Sequence, residues 1–324
     1  LLGGTIPGII INMDASDPGS GYFIMGIVFG IFYALPWILV FIGTWELPHA
    51  PVRTGGKPIA YIKRLASIFK NRSLRVHIGM YLAAYTAIDV LMAVVALFLT
   101  HYLGRPELFS VALGSLLLVQ ILMLPVYVLI SNRFGKGTAY RIGLTIMAVV
   151  LLVVYFVVTP ETPTVMVAVF FALVGAGVSA GTMIPWAILP SVTDVDQLMT
   201  TEKRAGVYSG AMTLIRKGVQ AVIVLPSVGF ILEVVGFVER ADTQTEFVQE
   251  SLRVMTTSGP VIFIIIGIVV SLAFHITPRT HKVLKAELER LSEGGSKSDA
   301  DAETRAICEK LTGVPYDELY VPTD

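Results

Sequence analysis

The chain of 324 residues is 54% hydrophobic and 15% charged, with a mean hydropathy of +0.74. Soluble domains carry about a quarter charged residues, so the long apolar stretches here must meet lipid rather than water. The 24 Lys+Arg balance 24 Asp+Glu, which gives no sign of a nucleic-acid binder, and the single Cys308 excludes a disulfide framework and a cysteine-based metal site.

Leu1 to Ile11 is apolar, lacks both Met and a basic leader, and is too short to span a bilayer, so it reads as the last half of a helix. A span takes about 20 mainly apolar residues. Seven segments qualify, at 22–43, 76–101, 108–131, 140–159, 164–189, 207–237 and 259–276. Pro36, Pro125, Pro185 and Pro226 fall inside them, which bilayer helices tolerate when neighbours satisfy the freed carbonyls. After the first span, Ile59, Ile62, Leu65, Ala66 and Phe69 oppose Lys63, Arg64, Lys70 and Arg72. That spacing predicts an amphipathic basic helix over 58–75, resting either on anionic headgroups or on the ends of the bundle.

The second span carries Asp89 with Tyr81 and Tyr85 on the same stripe, and the third carries Gln120. Asn132 to Lys136 is a short basic connection containing Arg133. The fifth span holds a small-residue run, Gly175 to Gly181, suited to close helix approach, and then Pro185 and Trp186. Trp186 is either an interfacial anchor or a side chain lining a site. In the sixth span Thr213, Lys217 and Gln220 share one face, and Arg216 points about 100° away, toward a neighbouring helix or the headgroups. Glu233 and His275 sit near helix ends and read as interfacial. Beyond Pro278 the chain turns polar, with a solvated helix over 279–292, a Gly/Ser/Asp linker over 293–302 and a second helix over 303–311 before Gly313. We read this as a plain tail, with regulation or partner binding as the alternative.

Basic residues set the orientation. Arg53, Lys57, Lys63, Arg64, Lys70, Arg72 and Arg75 lie on one side, with Arg133, Lys136, Arg141, Lys203, Arg204 and the tail's cations. The opposite connections hold only Arg105, Arg240 and Arg253. The first side is therefore cytoplasmic, and so is the C-terminus. Both ends inside requires an even number of spans, and four missing helices would give twelve.

An ionisable residue in the apolar core costs about 2.5–3.5 kcal/mol, so Asp89 and Lys217 are the leading site candidates. Counted from their predicted helix starts they lie roughly 20 Å and 15 Å deep, near the midplane where secondary transporters bind substrate and ion. They read either as a cavity-lining acid and base or as a structural ion pair, with a snorkelling Lys217 as a further alternative. The polar stripe of Thr213, Lys217 and Gln220 predicts a helix face turned to a water-filled cavity. Tyr81 and Tyr85 would stack on a ligand or pack in the core. No Walker loop, metal-ligand cluster or nucleophile elbow is present, so neither ATP hydrolysis nor enzyme chemistry is expected.

The run from Pro185 to Asp196, followed by Thr200, Lys203, Arg204, Gly206 to Gly210 and Lys217-Gly218, resembles the glycoside–pentoside–hexuronide:cation symporter family of the major facilitator superfamily, typified by melibiose permease. The Pro-Trp-x-x-Leu-Pro form is similar to its sodium-dependent lysophosphatidylcholine symporter branch. The resemblance implies an all-α membrane protein with a major facilitator fold, N-terminally truncated to the last eight of twelve helices. On that reading 1–48 ends the N-terminal half, 49–75 is a cytoplasmic linker, 76–277 is the C-terminal six-helix half and 278–324 is a cytoplasmic tail. The resemblance makes Lys217 the substrate- and coupling-site lysine, and places Thr213 and Trp186 on the cavity wall. Asp194 and Asp196 would gate the cytoplasmic end with Lys203 or Arg204, and Arg133 belongs to the superfamily's basic loop. Two departures stand out. The family's cation-binding carboxylates lie on early helices absent here, and Ser191 occupies a position that is acidic in the family.

The expected function is symport of a sugar or glycoside with Na+ or H+ by alternating access, in a plasma (bacterial inner) membrane. Lysophospholipid symport is the alternative, and a channel-like or ligand-binding bundle is the rival from another class. The site set is Lys217, Asp89, Thr213, Trp186, Gln220, Tyr85 and Gln120, with a coupling cation as the co-substrate. No metal or other cofactor is expected, and a monomer is.

Overall fold

The computed structural model describes residues 18–44, 65–239, 241 and 243–321. Leu1–Tyr61 and Ile62–Asp324 are separate compact units. The half-helix expected at 1–11 and the first seven residues of the amphipathic segment at 58–75 lie outside the described residues. The described remainder is not one helix, because helical structure from 65 ends at Lys70, Asn71 interrupts it, and Arg72 to Arg75 already belong to the next helix. In the first unit, helix α1 (Pro18–Gly43) contains Pro36 and no charged residue. Its 26 residues reach about 39 Å, enough to cross a bilayer.

The described part of the second unit begins with helical residues 65–67, which tighten into a 3₁₀ turn, Ile68–Lys70. Asn71 breaks the chain there, because its side chain accepts the Leu74 N–H at 3.3 Å and so caps the next helix. Its amide also donates to the Val192 carbonyl and the Tyr208 hydroxyl, fixing the start of that helix against two others. The bundle is then α2 (Arg72–Leu97, widening into a π turn at Phe98–Tyr102), α3 (Leu108–Phe134), α4 (Lys136–Val157), α5 (Thr164–Thr200), α6 (Ala205–Val219), α7 (Leu225–Val234) and α8 (Glu246–Leu272). A π turn at Gln220–Val224 joins α6 to α7 just before Pro226, whose ring nitrogen has no proton for the helical ladder. Counting α1, and α6 with α7 as one, seven helices among the described residues are long and apolar enough to cross a membrane.

Two spans differ from their predicted extents. α5 runs to Thr200 rather than 189, straight through Pro185 and Pro190. The His77 ring Nε2–H donates to the Pro185 carbonyl at 2.8 Å, while Thr193 Oγ donates to the Pro190 carbonyl, and a left-handed Thr201 finally ends the helix. α8 starts at Glu246 rather than 259, capped by Thr245. Its polar first turns hid it, yet Arg253 is paired there with Glu250 at 3.0 Å and lies over the Tyr155 ring at 4.4 Å. α6 and α7, continuous through the π turn, make one span over Ala205–Val234, in agreement with the span predicted over 207–237.

α2 and α5 are the most buried helices of this unit; α2 packs on α8 and α5, and α5 packs on α3 and α4. The small-residue run makes that approach possible. A Cβ at Gly175 would overlap the Leu116 backbone, and one at Gly177 would overlap Met147. Gly181, in the same run, has only ordinary clearance of 3.4 Å to Ile88.

The polar C-terminal segment is folded onto the bundle, which corrects the reading of a plain tail. α9 (Pro278–Ser292) begins with a Thr277/Thr280 capping box, and α10 (Ala302–Thr312) is capped by Asp301. They bury Leu284, Leu288, Leu291, Cys308 and Leu311. A further turn carries Tyr316 and Leu319 into the same core. The expected linker is pinned by arginines: Arg290 donates to the Ser296 carbonyl at 2.7 Å, and Arg305 to the Lys297 carbonyl at 2.8 Å. The cap is tied to the bundle by Ser73 donating to the Leu311 carbonyl and by the Tyr320 N–H donating to the Leu198 carbonyl.

Candidate substrate site and gate

At mid-length of α2, Asp89 meets α6. Arg216 Nη2 donates to Asp89 Oδ1 at 3.1 Å, and the two side chains are only 20% and 11% exposed. The guanidinium also stacks over the Tyr85 ring, 4.1 Å from its centroid. Tyr85 continues the network into α5. Its hydroxyl accepts from Trp186 Nε1 at 3.0 Å and donates to the Thr182 carbonyl at 3.4 Å. Tyr81 packs on Tyr85 at 4.6 Å and meets Trp186 edge-on at 5.9 Å. From α3, Gln120 donates to Thr182 Oγ at 3.4 Å, and its carbonyl accepts from Ser179 at 2.8 Å. Helices α2, α3, α5 and α6 thus share one polar and aromatic layer. Arg216 joins this layer although its neighbour Lys217 was the favoured base.

Lys217 stands apart. It lies on an exposed stripe of α6 with Thr213, and among the described residues its ammonium donates only to Gln220, at 3.1 Å. Asp89 therefore pairs with Arg216 and not with Lys217. The adjacent cations divide their work by helical geometry. A rotation of about 100° sends one into the bundle and leaves the other on its surface.

A second cluster sits where α5 ends and α6 begins. Arg204 grips Asp196 through two bonds, Nε to Oδ2 at 2.8 Å and Nη2 to Oδ1 at 2.5 Å, with both side chains buried. The buried carboxylate raises the Arg204 pKa further, chiefly through these hydrogen bonds. Asp194 accepts from His281 of α9 at 2.8 Å, a partner that sequence reasoning missed. Lys203 is exposed and pairs with neither aspartate, and Arg133 is exposed beside the Phe134 ring. Lys136, on the same connection as Arg133, donates to Ser191 at 2.9 Å. Among the described residues no cluster of His, Cys, Asp and Glu could hold a metal ion.

Residues 1–278 match the model of the MFS/sugar transport protein family. The chain belongs to that family. This agrees with the resemblance carried by Pro185 to Gly218, and it makes the helical bundle a major facilitator fold in a multi-pass membrane protein. Relatives of this MFS chain include an uncharacterized symporter of Synechocystis, 25% identical over 75% of the chain and 45% of that protein. The sodium-dependent lysophosphatidylcholine symporter 1 of Xenopus tropicalis is 26% identical over 89% of the chain and 54% of the relative. A sphingosine-1-phosphate transporter of the same frog is 23% identical over 83% of the chain and 52% of that protein. The chain spans about half the length of the curated relatives it matches.

Proposed function

We propose that this chain supplies the C-terminal half of a monomeric cation-coupled symporter in the plasma membrane, working by alternating access with its basic end and C-terminal cap in the cytoplasm. The observation that carries this reading is the surface-exposed Lys217 and Thr213 on a membrane-spanning helix. An ammonium facing hydrocarbon costs about 2.5–3.5 kcal/mol, so that face of α6 turns to a watered cavity between two halves. Lys217 binds the substrate's anionic group, Gln220 orients the ammonium, and Thr213 and Trp186 line the wall beside it. The Asp89–Arg216 pair, Tyr85 and Gln120 hold that wall in place. Asp196–Arg204 and Asp194–His281 form the cytoplasmic gate, with Lys203 and Arg133 on its rim. The coupling cation, Na+ or H+, is a co-substrate of the whole protein.

The substrate class we favour is a lysophospholipid-like amphiphile. Two relatives are named for substrates that join a phosphate to a hydrocarbon tail. Lys217 suits the phosphate, and exposed Leu214, Val222 and Ile223 on the same helix offer an apolar flank for the tail. A sugar is the second reading, favoured by the family's description and by the hydroxyl and amide groups beside Lys217. In proteoliposomes of the full-length protein, Lys217→Ala should abolish gradient-driven uptake while the protein stays folded. Unchanged uptake would remove Lys217 from the site.

A further inference from the structure

The basic end of the bundle holds a cavity of 190 Å³ between the α3–α4 connection, α5 and the first turn of α9, lined among others by Ser131, Asn132, Lys136, Ser191, Thr277 and His281. Three features give it a donor-rich wall. The Lys136 ammonium lies in it, held by Ser191. The N-terminus of the 22-residue α4 opens there with Gly135 at its cap position, so no side chain satisfies its first N–H groups. Ser131, only 8% exposed, is also among its lining residues, and its buried Oγ has no hydrogen-bond partner. A buried hydroxyl left unpaired costs free energy unless something occupies the space it faces. The neighbouring carboxylate of Asp194, which accepts from His281, places a negative charge near Lys136, and Lys285 of α9 adds a smaller positive one.

We propose that this cavity is a binding site for a phosphate-type oxyanion, carried by a phospholipid headgroup or by free inorganic phosphate. Lys136 supplies the charge, Ser131 and the α4 backbone supply hydrogen bonds, and the occupant joins three elements that the protein otherwise links there mainly through Lys136–Ser191 and Asp194–His281. The span of α4 begins at Lys136, which puts the cavity at headgroup depth. The site is separate from the one proposed for transport, and bound anion would hold the C-terminal cap against the gate.

The test uses the full-length protein in detergent, titrated with inorganic phosphate, with dihexanoyl phosphatidic acid, and with chloride at matched ionic strength. We expect saturable binding in a phosphate arm and none with chloride, lost in Lys136→Gln. Ser131→Ala removes one hydroxyl without charge or bulk, and should weaken binding about tenfold, the value of one hydrogen bond to a charged group. Binding of both phosphate forms assigns the site to the anion itself, and binding of phosphatidic acid alone assigns it to lipid. No binding in either arm, or binding indifferent to both substitutions, overturns the proposal.

Discussion

Arg216 and Lys217 are consecutive cations with opposite fates, and their difference is measurable. Removing one partner of a mostly buried pair leaves an uncompensated charge, which costs about 3–5 kcal/mol in buried sites. Asp89→Ala and Arg216→Ala should each lower the melting temperature markedly, whereas Lys217→Ala, whose ammonium among the described residues bonds only Gln220, should stay within about 0.5 kcal/mol of wild type. Thermal unfolding in detergent distinguishes them; equal destabilisation by all three would mean that Lys217 is also structural. The sequence made Asp89 conspicuous, because a lone acid in an apolar span needs a partner. It did not choose between two neighbouring lysine and arginine candidates, since that choice depends on how α6 is rotated against α2. His281 was hidden for a related reason: its partner Asp194 lies 87 residues away on another element.

Among the elements, α5 shows the clearest dependence of packing on single atoms. Gly175→Ala and Gly177→Ala drive a Cβ into Leu116 and Met147, and overpacking of this kind costs about 1–3 kcal/mol. Gly181→Ala meets only van der Waals contact and removes a helix-interior glycine, so it should be neutral or stabilising. The sequence marked the whole run as small; which glycines are obligatory depends on which face meets α3 and α4. The C-terminal cap has its own signature. Leu284, Leu288 and Leu291 recur at helical spacing, the mark of a buried face, but the polar composition around them masked it. Within the cap, Glu287 is buried, which alone would raise its pKa, yet hydrogen bonds from Arg290 and Tyr316 and the Arg290 charge outweigh that and lower it. A carboxylate with a depressed folded-state pKa stabilises above the ordinary carboxylate range, and that contribution is lost as pH falls through the lowered value. Cap docking should therefore hold from pH 7 to about 5 and weaken only in stronger acid. Cys308 reports it: burial, then Glu287 and Glu309, push its thiol up to about 12. Alkylation at pH 8 should be slow in the wild type and faster by about a hundredfold or more in Glu287→Ala, where the cap core opens. Equal rates would show that Glu287 does not hold the cap.

On the scale of the molecule, hydropathy alone placed every spanning helix of the described residues, because a bilayer admits few alternatives to long apolar helices. Boundaries failed where polar residues continue a helix beyond the apolar stretch, as in Glu246 to Ser258 and Pro190 to Thr200, where partners such as Tyr155 and Arg204 hold the added turns. The family motif at Pro185 to Gly218 marked Asp194 and Asp196 and offered Lys203 or Arg204 as partners; the structure pairs Asp196 with Arg204 and Asp194 with His281. Gradient-driven uptake is the decisive measurement of coupled transport. Full-length protein in proteoliposomes, under an imposed sodium gradient, would be offered a labelled lysophospholipid and a labelled glycoside. Accumulation of the lysophospholipid above equilibrium is expected, abolished when the gradient is collapsed. Accumulation of the glycoside instead would keep the symporter and replace its substrate. Accumulation of neither, under sodium or proton gradients, would contradict coupled transport and favour a bundle that binds ligand without moving it.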